Sequence, residues 1–106
     1  MVAYANEHNS SDCVNFAELD IASTSEPRQV FPLGFHKIFS LYCLHWVKDL
    51  PRAVSNLAAL LLPGGEALLV FLASNPIFRM YRAMAASSKW GALLTDVERY
   101  IPVYQA

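Results

Sequence analysis

The chain has 106 residues, of which 55% are hydrophobic and 16% are charged, and its net charge is −1. This length holds one small domain, or part of a larger one, and excludes two domains. The apolar fraction exceeds the usual value of about 45–50% and the charged fraction is below about 25%, as expected for a piece covered by further chain. The Lys and Arg residues are scattered, which argues against nucleic acid and against a membrane surface as partners.

The first residues lack the basic start and apolar middle of a signal peptide, and no apolar run reaches the roughly 18 residues of a membrane span. A cytoplasmic location is therefore expected. Cys13 and Cys43 have neither a metal-binding nor a disulfide spacing, so both are predicted to be reduced packing residues. The histidines, His8, His36 and His45, do not share a helix face, and no metal site is predicted.

The first third of the chain alternates short elements with polar turns. Residues 1–8 are predicted to form a helix, which residues 9–12 end. Residues 14–19 then read as a short strand with Asp20 and Ile21 at its end, and residues 23–34 carry two prolines and a glycine typical of a loop.

The central stretch predicts a strand, a helix and a second strand. Residues 35–43 form a continuous apolar run, too long to face water on one side, which favours a buried parallel strand. After Asp49, apolar residues recur at helical spacing as far as Leu61. Pro63-Gly64-Gly65 ends this helix, and residues 66–73 form the second buried strand. The pattern is a βαβ unit of an α/β fold.

The last third is predicted to be helical. One helix opens at Asn75-Pro76, and another surrounds Trp90, Leu93, Leu94 and Val97. Bulky apolar side chains on these helices either pack a core or cover a long apolar ligand; they are Phe78, Met80, Met84 and Trp90. No repeat or linker divides the chain, so residues 1–106 form one unit.

Three segments at these spacings resemble a known family. They are FHKIFS at 35–40, LHWV at 44–47 and LLPGGE at 61–66. The segments are similar to the fourth strand, the following loop and the turn before the fifth strand of class I S-adenosylmethionine-dependent methyltransferases, closest to the juvenile hormone acid methyltransferase-like branch. The resemblance implies a partial Rossmann-like sheet with flanking helices. His36 stands where the family usually has Asp, and Leu62 where Lys is common.

The resemblance also implies that part of the fold lies outside this sequence. The family's cofactor site uses a glycine-rich loop after its first strand and an acidic residue after its second, and neither is present among these residues. The chain is expected to be an internal segment whose first two strands and C-terminal end are missing. Those strands would separate residues 14–19 from residues 35–43, so the isolated chain is expected to fold poorly or to pair its strands differently.

The resemblance places five residues at the cofactor. Asp20 matches the carboxylate that accepts a hydrogen bond from the adenine amino group, and Ile21 matches its neighbour against the ring. Ser40, Leu41 and Tyr42 match the strand end beside the methionine part of S-adenosylmethionine. Without the resemblance, Asp20 reads as a solvated residue that caps the next turn, and Leu41 as ordinary core.

His45 and Trp46 are the candidates for binding the acceptor substrate. An indole can donate a hydrogen bond to a carboxylate while its faces line an apolar pocket. The alternatives are a Trp that packs the loop onto the next helix and a His that makes a structural hydrogen bond. No catalytic residue is assigned, because a carboxylate with a pKa of about 4 is already ionised at neutral pH. Orientation alone can then drive methyl transfer.

The sequence therefore predicts S-adenosylmethionine-dependent methyl transfer by the complete parent enzyme, with a small apolar acid of the juvenile hormone type as acceptor. The alternative is a catalytically inactive fragment that binds or supports other molecules. A nicotinamide-dependent oxidoreductase is disfavoured, because both the glycine-rich fingerprint and a Tyr-x-x-x-Lys pair are absent.

Overall fold

The computed structural model describes residues 1–102. The helices and strands, in chain order, are α1 (Val2–Asn9), β1 (Phe35–Leu41), α2 (Leu50–Leu60), β2 (Leu61–Val70) and α3 (Pro76–Ala86). Short 3-10 turns lie at Pro27–Gln29, Leu44–Trp46, Gly91–Leu93 and Val97–Tyr100. The predicted α/β class is confirmed.

The strands β1 and β2 pair in parallel, with α2 as the crossover between them. Ile38 lies opposite Ala67, and Phe39 lies opposite Leu68. Beyond the ladder, the backbone N–H of Tyr42 donates to the carbonyl of Val70 at 2.7 Å. The predicted βαβ unit is thus present, and its parallel pairing places the carboxyl ends of both strands at one edge of the sheet.

The strand boundaries differ from the predicted 35–43 and 66–73. β1 ends at Leu41 because Tyr42 turns the chain with a positive φ of 55°. β2 begins at Leu61, before the proline-glycine turn, and ends at Val70. Phe35 pairs with Leu61 and Lys37 with Glu66, so residues 62–65 bulge out of the ladder opposite a single residue.

The bulge contains two glycines, Gly64 and Gly65, and each lies where a side chain is disfavoured. Gly64 has a φ of +76°, which is strained for any residue with a Cβ atom. At Gly65 a Cβ atom would lie 2.9 Å from the carbonyl oxygen of Leu62 and 3.0 Å from that of His36. The proline-glycine segment is therefore a close backbone approach inside β2, and the helix α2 already ends at Leu60, before the residues that were predicted to end it.

Helix α2 is fixed at both ends by polar side chains. At its start, the carboxylate of Asp49 accepts a hydrogen bond from the backbone N–H of Arg52 at 3.0 Å. At its end, the Arg28 guanidinium donates to the carbonyls of Ala59 at 2.7 Å and Leu61 at 3.4 Å. The Arg28 hydrogen bonds satisfy carbonyls at the helix end that have no partner within the helix. They also join the loop before β1 to α2.

The core lies between α2 and one face of the sheet. Leu44, Ala53 and Leu57 form its buried centre. Half-buried apolar residues surround them: Ile21, Ile38, Val47, Leu50, Leu69 and Phe71.

The prediction that both strands are buried on both faces is wrong for this structure. Phe39, Leu41 and Leu68 point away from α2 and are each more than half exposed. Within the part of the chain that the structure describes, α2 covers the sheet from one side only, so only alternate residues of each strand reach the core.

The predicted strand at residues 14–19 is also absent. An antiparallel bridge joins Ser11 to Val14, and no ladder follows it in the described residues. Instead, the side-chain amide of Asn6 donates to the carbonyl of Phe16 at 2.7 Å and accepts from its N–H at 2.8 Å. A side chain on α1 thus satisfies backbone groups that a neighbouring strand would otherwise pair.

Two further predictions need correction. The second C-terminal helix is replaced by the 3-10 turns Gly91–Leu93 and Val97–Tyr100. Residues 94–96 separate them and include Thr95 and Asp96, residue types that are weak formers of helix interiors. Cys13 and Cys43 are free thiols, but they are exposed and not packing residues as predicted. Cys13 lies in the irregular segment after α1, and Cys43 lies in the turn that leaves β1.

Candidate functional site

The carboxyl end of β1 carries the residues predicted to lie beside the cofactor. Ser40 is half-buried opposite Leu69, whereas Leu41 and Tyr42 are exposed. The positive φ of Tyr42 turns the chain away from the sheet and leads it into the 3-10 turn Leu44–Trp46. The structure thus places these residues at the end of the strand, the edge beyond which ligands of open α/β sheets bind, and their contact with a cofactor stays a prediction.

The turn Leu44–Trp46 alternates between the core and the surface. Leu44 is 2% exposed and belongs to the buried centre of the core. His45 is 3% exposed, whereas Trp46 is 56% exposed. The core therefore holds the turn in place through its first two residues and presents the third to solvent.

The ring of His45 joins the segments that follow the two strands. Its Nδ1 accepts a hydrogen bond from the backbone N–H of Leu72 at 3.3 Å, just beyond β2. An imidazole that accepts at Nδ1 and remains neutral carries its proton on Nε2. This contact corresponds to the structural alternative weighed for His45, because it fixes the loop rather than presenting the ring to solvent.

Trp46 lies in a row of aromatic rings that reaches α3. Its ring lies 5.2 Å from that of His45 and 6.4 Å from that of Phe78, to which it is nearly perpendicular. The ring of Phe78 in turn lies 6.2 Å from that of Tyr81. Edge-to-face contacts of this kind orient aromatic rings, so α3 helps to fix the direction of the exposed indole.

Helix α3 is itself anchored by polar contacts. The side chain of Asn75 accepts a hydrogen bond from the N–H of Ile77 at its start. Farther along, the Arg82 guanidinium makes two hydrogen bonds to the Glu98 carboxylate, at 2.8 and 3.0 Å. These hydrogen bonds lower the pKa of Glu98 below its ordinary value of 4.5 and raise the pKa of Arg82. The pair holds α3 against the turn Val97–Tyr100.

Asp20 takes part in a turn of its own. Its Oδ1 accepts a hydrogen bond from the N–H of Ala22 at 3.0 Å, and its carbonyl accepts from the N–H of Ser23 at 3.1 Å. This is the capping geometry that was the alternative interpretation of Asp20. The residue is exposed, and its carboxylate keeps lone pairs that can accept hydrogen bonds from further donors.

Ile21 connects this turn to the rest of the site. Its side chain packs on the cluster that contains Leu44, and it lines an apolar groove of about 240 Å³ beside β1. The structure thus brings Ile21 close to the segment that holds His45 and Trp46 through a shared core. The described hydrogen bonds of Asp20 stay within its own turn.

Asn56 was missed by the sequence analysis. It lies on α2 among the buried residues Ala53, Leu57 and Leu60, and it is 7% exposed. Its Nδ2 donates to the carbonyls of two residues of the Asp20 turn. A single amide within an otherwise apolar helix stripe was the signal that could have found it, because a buried amide needs hydrogen-bond partners.

Within residues 1–102, the structure contains no group of three or more His, Cys, Asp or Glu side chains placed to hold a metal ion. The helices of this region are too short or too polar to cross a membrane.

Comparison with known proteins identifies close relatives, although no family model matches the chain. The chain is 41% identical over 106 residues to a juvenile hormone acid O-methyltransferase of Bombyx mori. This match covers 98% of the chain and 37% of the relative. The chain is 40% identical over 103 residues to the juvenile hormone acid O-methyltransferase of Drosophila melanogaster, covering 95% of the chain and 34% of the relative. The chain thus spans about a third of the length of these relatives. The family predicted from the residues is confirmed: over nearly its whole length, the chain is a relative of the juvenile hormone acid O-methyltransferases.

Proposed function

We propose that the natural gene product carrying this sequence transfers a methyl group from S-adenosylmethionine to the carboxylate of a small apolar acid of the juvenile hormone type. The observation that carries this proposal is the identity of 41% and 40%, over nearly the whole chain, to two insect enzymes named for that class of substrate. The positions of the candidate residues support it in two ways.

The first support is the fit of the cofactor residues. Ser40, Leu41 and Tyr42 lie at the carboxyl end of β1, where a ligand of a parallel sheet is expected. Asp20 offers a carboxylate acceptor to the amino group of adenine, and Ile21 offers an apolar side chain to the ring. When bound, S-adenosylmethionine supplies a sulfonium methyl group, and these residues bind and orient its two ends.

The second support is the chemistry of the loop after β1. The exposed indole of Trp46 can donate a hydrogen bond to a carboxylate and line an apolar pocket with its face. His45 holds that loop through its hydrogen bond to Leu72. Because the acceptor carboxylate is ionised at neutral pH, the chain has no proton to remove. Its contribution is to hold the nucleophilic oxygen in line with the methyl group and to exclude water.

The test is an assay of methyl-ester formation by the natural gene product, with labelled S-adenosylmethionine and a series of long-chain apolar acids. The Trp46→Phe variant keeps an aromatic ring but loses the N–H donor. We expect the KM for the acid to rise by about ten-fold to hundred-fold, the value of one hydrogen bond to a charged group.

The matched control is Tyr4→Phe, which removes an aromatic hydrogen-bond donor from the exposed helix α1 and should leave the KM unchanged. Turnover of an amine without any methyl ester would refute the proposed acceptor. An unchanged KM in Trp46→Phe would remove Trp46 from the substrate site while leaving the reaction class intact.

A second candidate function is a binding or structural role without catalysis. The observation that favours it is that the glycines of this sequence, Gly34, Gly64, Gly65 and Gly91, form no glycine-rich phosphate or cofactor loop. Calorimetry of the natural gene product with S-adenosylmethionine separates the two. Measurable binding argues for a working cofactor site, and no binding by the folded protein supports the second candidate.

A further inference from the structure

We infer that Asn56 is a positioning residue for the cofactor's adenine, because it holds the Asp20 turn, residues 20–23, at a set distance from α2. This inference rests on the proposed function and deepens it, since it assigns to a buried helix residue the control of adenine recognition. Asn56 touches no ligand in this role. It acts through the turn.

The geometry is a short chain of hydrogen bonds from α2 to the carboxylate. The amide nitrogen of Asn56 donates to the carbonyl of Ile21 at 2.8 Å and to the carbonyl of Ser23 at 2.9 Å. Between these two carbonyls lies Ala22, whose N–H donates to Oδ1 of Asp20 at 3.0 Å. Both hydrogens of the amide are thus used: one on the Ile21 carbonyl, which belongs to the same peptide group as the Ala22 N–H that donates to the carboxylate, and one on the Ser23 carbonyl.

The orientation of this amide follows from its surroundings. Two carbonyl oxygens within 2.9 Å face the same side-chain atom, so that atom must be the nitrogen, which donates, rather than the oxygen, which would be repelled. The side chain is 7% exposed, and bonds in such a setting are worth more than bonds in water. The turn is therefore attached at its centre and cannot rotate freely about its ends.

The helix provides a rigid reference for the turn. α2 is capped by Asp49 at one end and by Arg28 at the other, and it packs on the core through Ala53 and Leu57. Ile21, on the turn, packs against the same cluster. Two hydrogen bonds from Asn56 and the apolar packing of Ile21 therefore connect the turn to α2, and the hydrogen bonds lie next to the Asp20 carboxylate.

Adenine recognition offers a readout that a purely structural role would not change. Adenine carries an amino donor at the position where hypoxanthine carries a carbonyl acceptor. A fixed carboxylate therefore favours S-adenosylhomocysteine over S-inosylhomocysteine, whereas a misplaced carboxylate distinguishes them less. The ratio of the two dissociation constants measures the placement of Asp20, while overall stability affects both constants alike.

The experiment measures both dissociation constants by calorimetry in the natural gene product carrying this sequence. We expect the unmodified protein to prefer S-adenosylhomocysteine by about ten-fold to hundred-fold, as for one hydrogen bond with a charged partner. In Asn56→Ala the preference should fall toward one. The Asn56→Ser variant keeps a single hydrogen-bond donor, and it replaces the alanine variant if that one does not fold. We expect it to show an intermediate preference. Leu60→Val is the matched control, because it disturbs the buried face of α2 without a hydrogen bond to the turn, and it should keep the full preference.

Each outcome separates the inference from the function on which it rests. Loss of the preference in the Asn56 variants, with retention in Leu60→Val, supports the positioning role. If the Asn56 variants bind both compounds more weakly but keep the ratio, the inference is overturned and the proposed function stands. If the unmodified protein shows no preference, the role of Asp20 is overturned together with the inference. Failure to bind either compound overturns the proposed function itself.

Discussion

Replacement of Leu44 by alanine tests whether the βαβ core holds the candidate substrate loop. Leu44 is 2% exposed, contacts the buried face of α2 and directly precedes His45. The change removes three carbon atoms, which corresponds to about 2.4 kcal/mol at about 0.8 kcal/mol per buried methylene. A cavity between a helix and a sheet adds to this loss, and buried Leu→Ala replacements cost about 2.7–5 kcal/mol. We expect the free energy of unfolding to fall by about 3–4 kcal/mol.

The assay is equilibrium unfolding in urea, followed by fluorescence and by circular dichroism. With a slope of about 1–3 kcal/mol per M, the midpoint should fall by about 1–4 M. The matched control is Leu93→Ala, because Leu93 is 77% exposed and its replacement should change stability by less than about 0.5 kcal/mol. Equal losses in the two variants would refute the reasoning, since they would show that Leu44 is not packed in a core.

Four further predictions concern polar contacts and glycines. Asp49→Ala removes the cap of α2 and should lower the free energy of unfolding by about 1 kcal/mol in urea titrations, with a loss of helix signal. Gly34→Ala should cost about 1–3 kcal/mol, because its φ is +65° and a Cβ atom would lie 2.6 Å from a guanidinium carbon. Gly64→Ala, which is strained but meets no neighbouring atom within 4 Å, should cost less by the same measurement. The Arg82 hydrogen bonds lower the pKa of Glu98 in the folded state. Their stabilising effect is therefore complete at a pH above the ordinary pKa of 4.5, and it declines as the pH falls through the lowered pKa. Thermal melts at neutral and acidic pH should therefore show a smaller acid-induced loss in Glu98→Gln than in the unmodified protein.

The central unit could be predicted from the sequence because several local signals agree there. The apolar run of β1, the helical spacing after Asp49 and the proline-glycine turn each favour the same βαβ arrangement, and the structure confirms it. Helix α3 also carries a clear local pattern, with Asn75 as its cap and a proline at its start. The positions of Ser40, Leu41 and Tyr42 at the strand end follow from that unit.

The failures concern features that depend on tertiary partners. Residues 14–19 have a strand-like composition, but a strand needs a neighbouring ladder, and Asn6 satisfies the backbone of Phe16 instead. The burial of Cys43 was inferred from a run of apolar neighbours, whereas its exposure follows from the turn at Tyr42. The role of Asn56 depends on a loop more than thirty residues earlier in the chain, a relationship that local spacing does not encode.

The alternatives for the site residues are separated by burial more than by residue type. His45 and Trp46 are neighbours whose rings can each donate a hydrogen bond, but the structure buries one ring and exposes the other. The burial of a side chain on a short 3-10 turn depends on the path of the backbone, which the positive φ of Tyr42 sets. A sequence pattern of aromatic residues does not determine that path.

The uncovered face of the sheet has a consequence for handling the protein. Phe39, Leu41 and Leu68 form a band of apolar side chains beside strand edges, an arrangement that promotes edge-to-edge association and fibril formation. Lys37 and Glu66 lie opposite each other on the two strands, form an ion pair and belong to this same face. Charges next to an apolar strand act as gatekeepers against aggregation, so neutralising this pair should shorten the time that purified samples stay in solution.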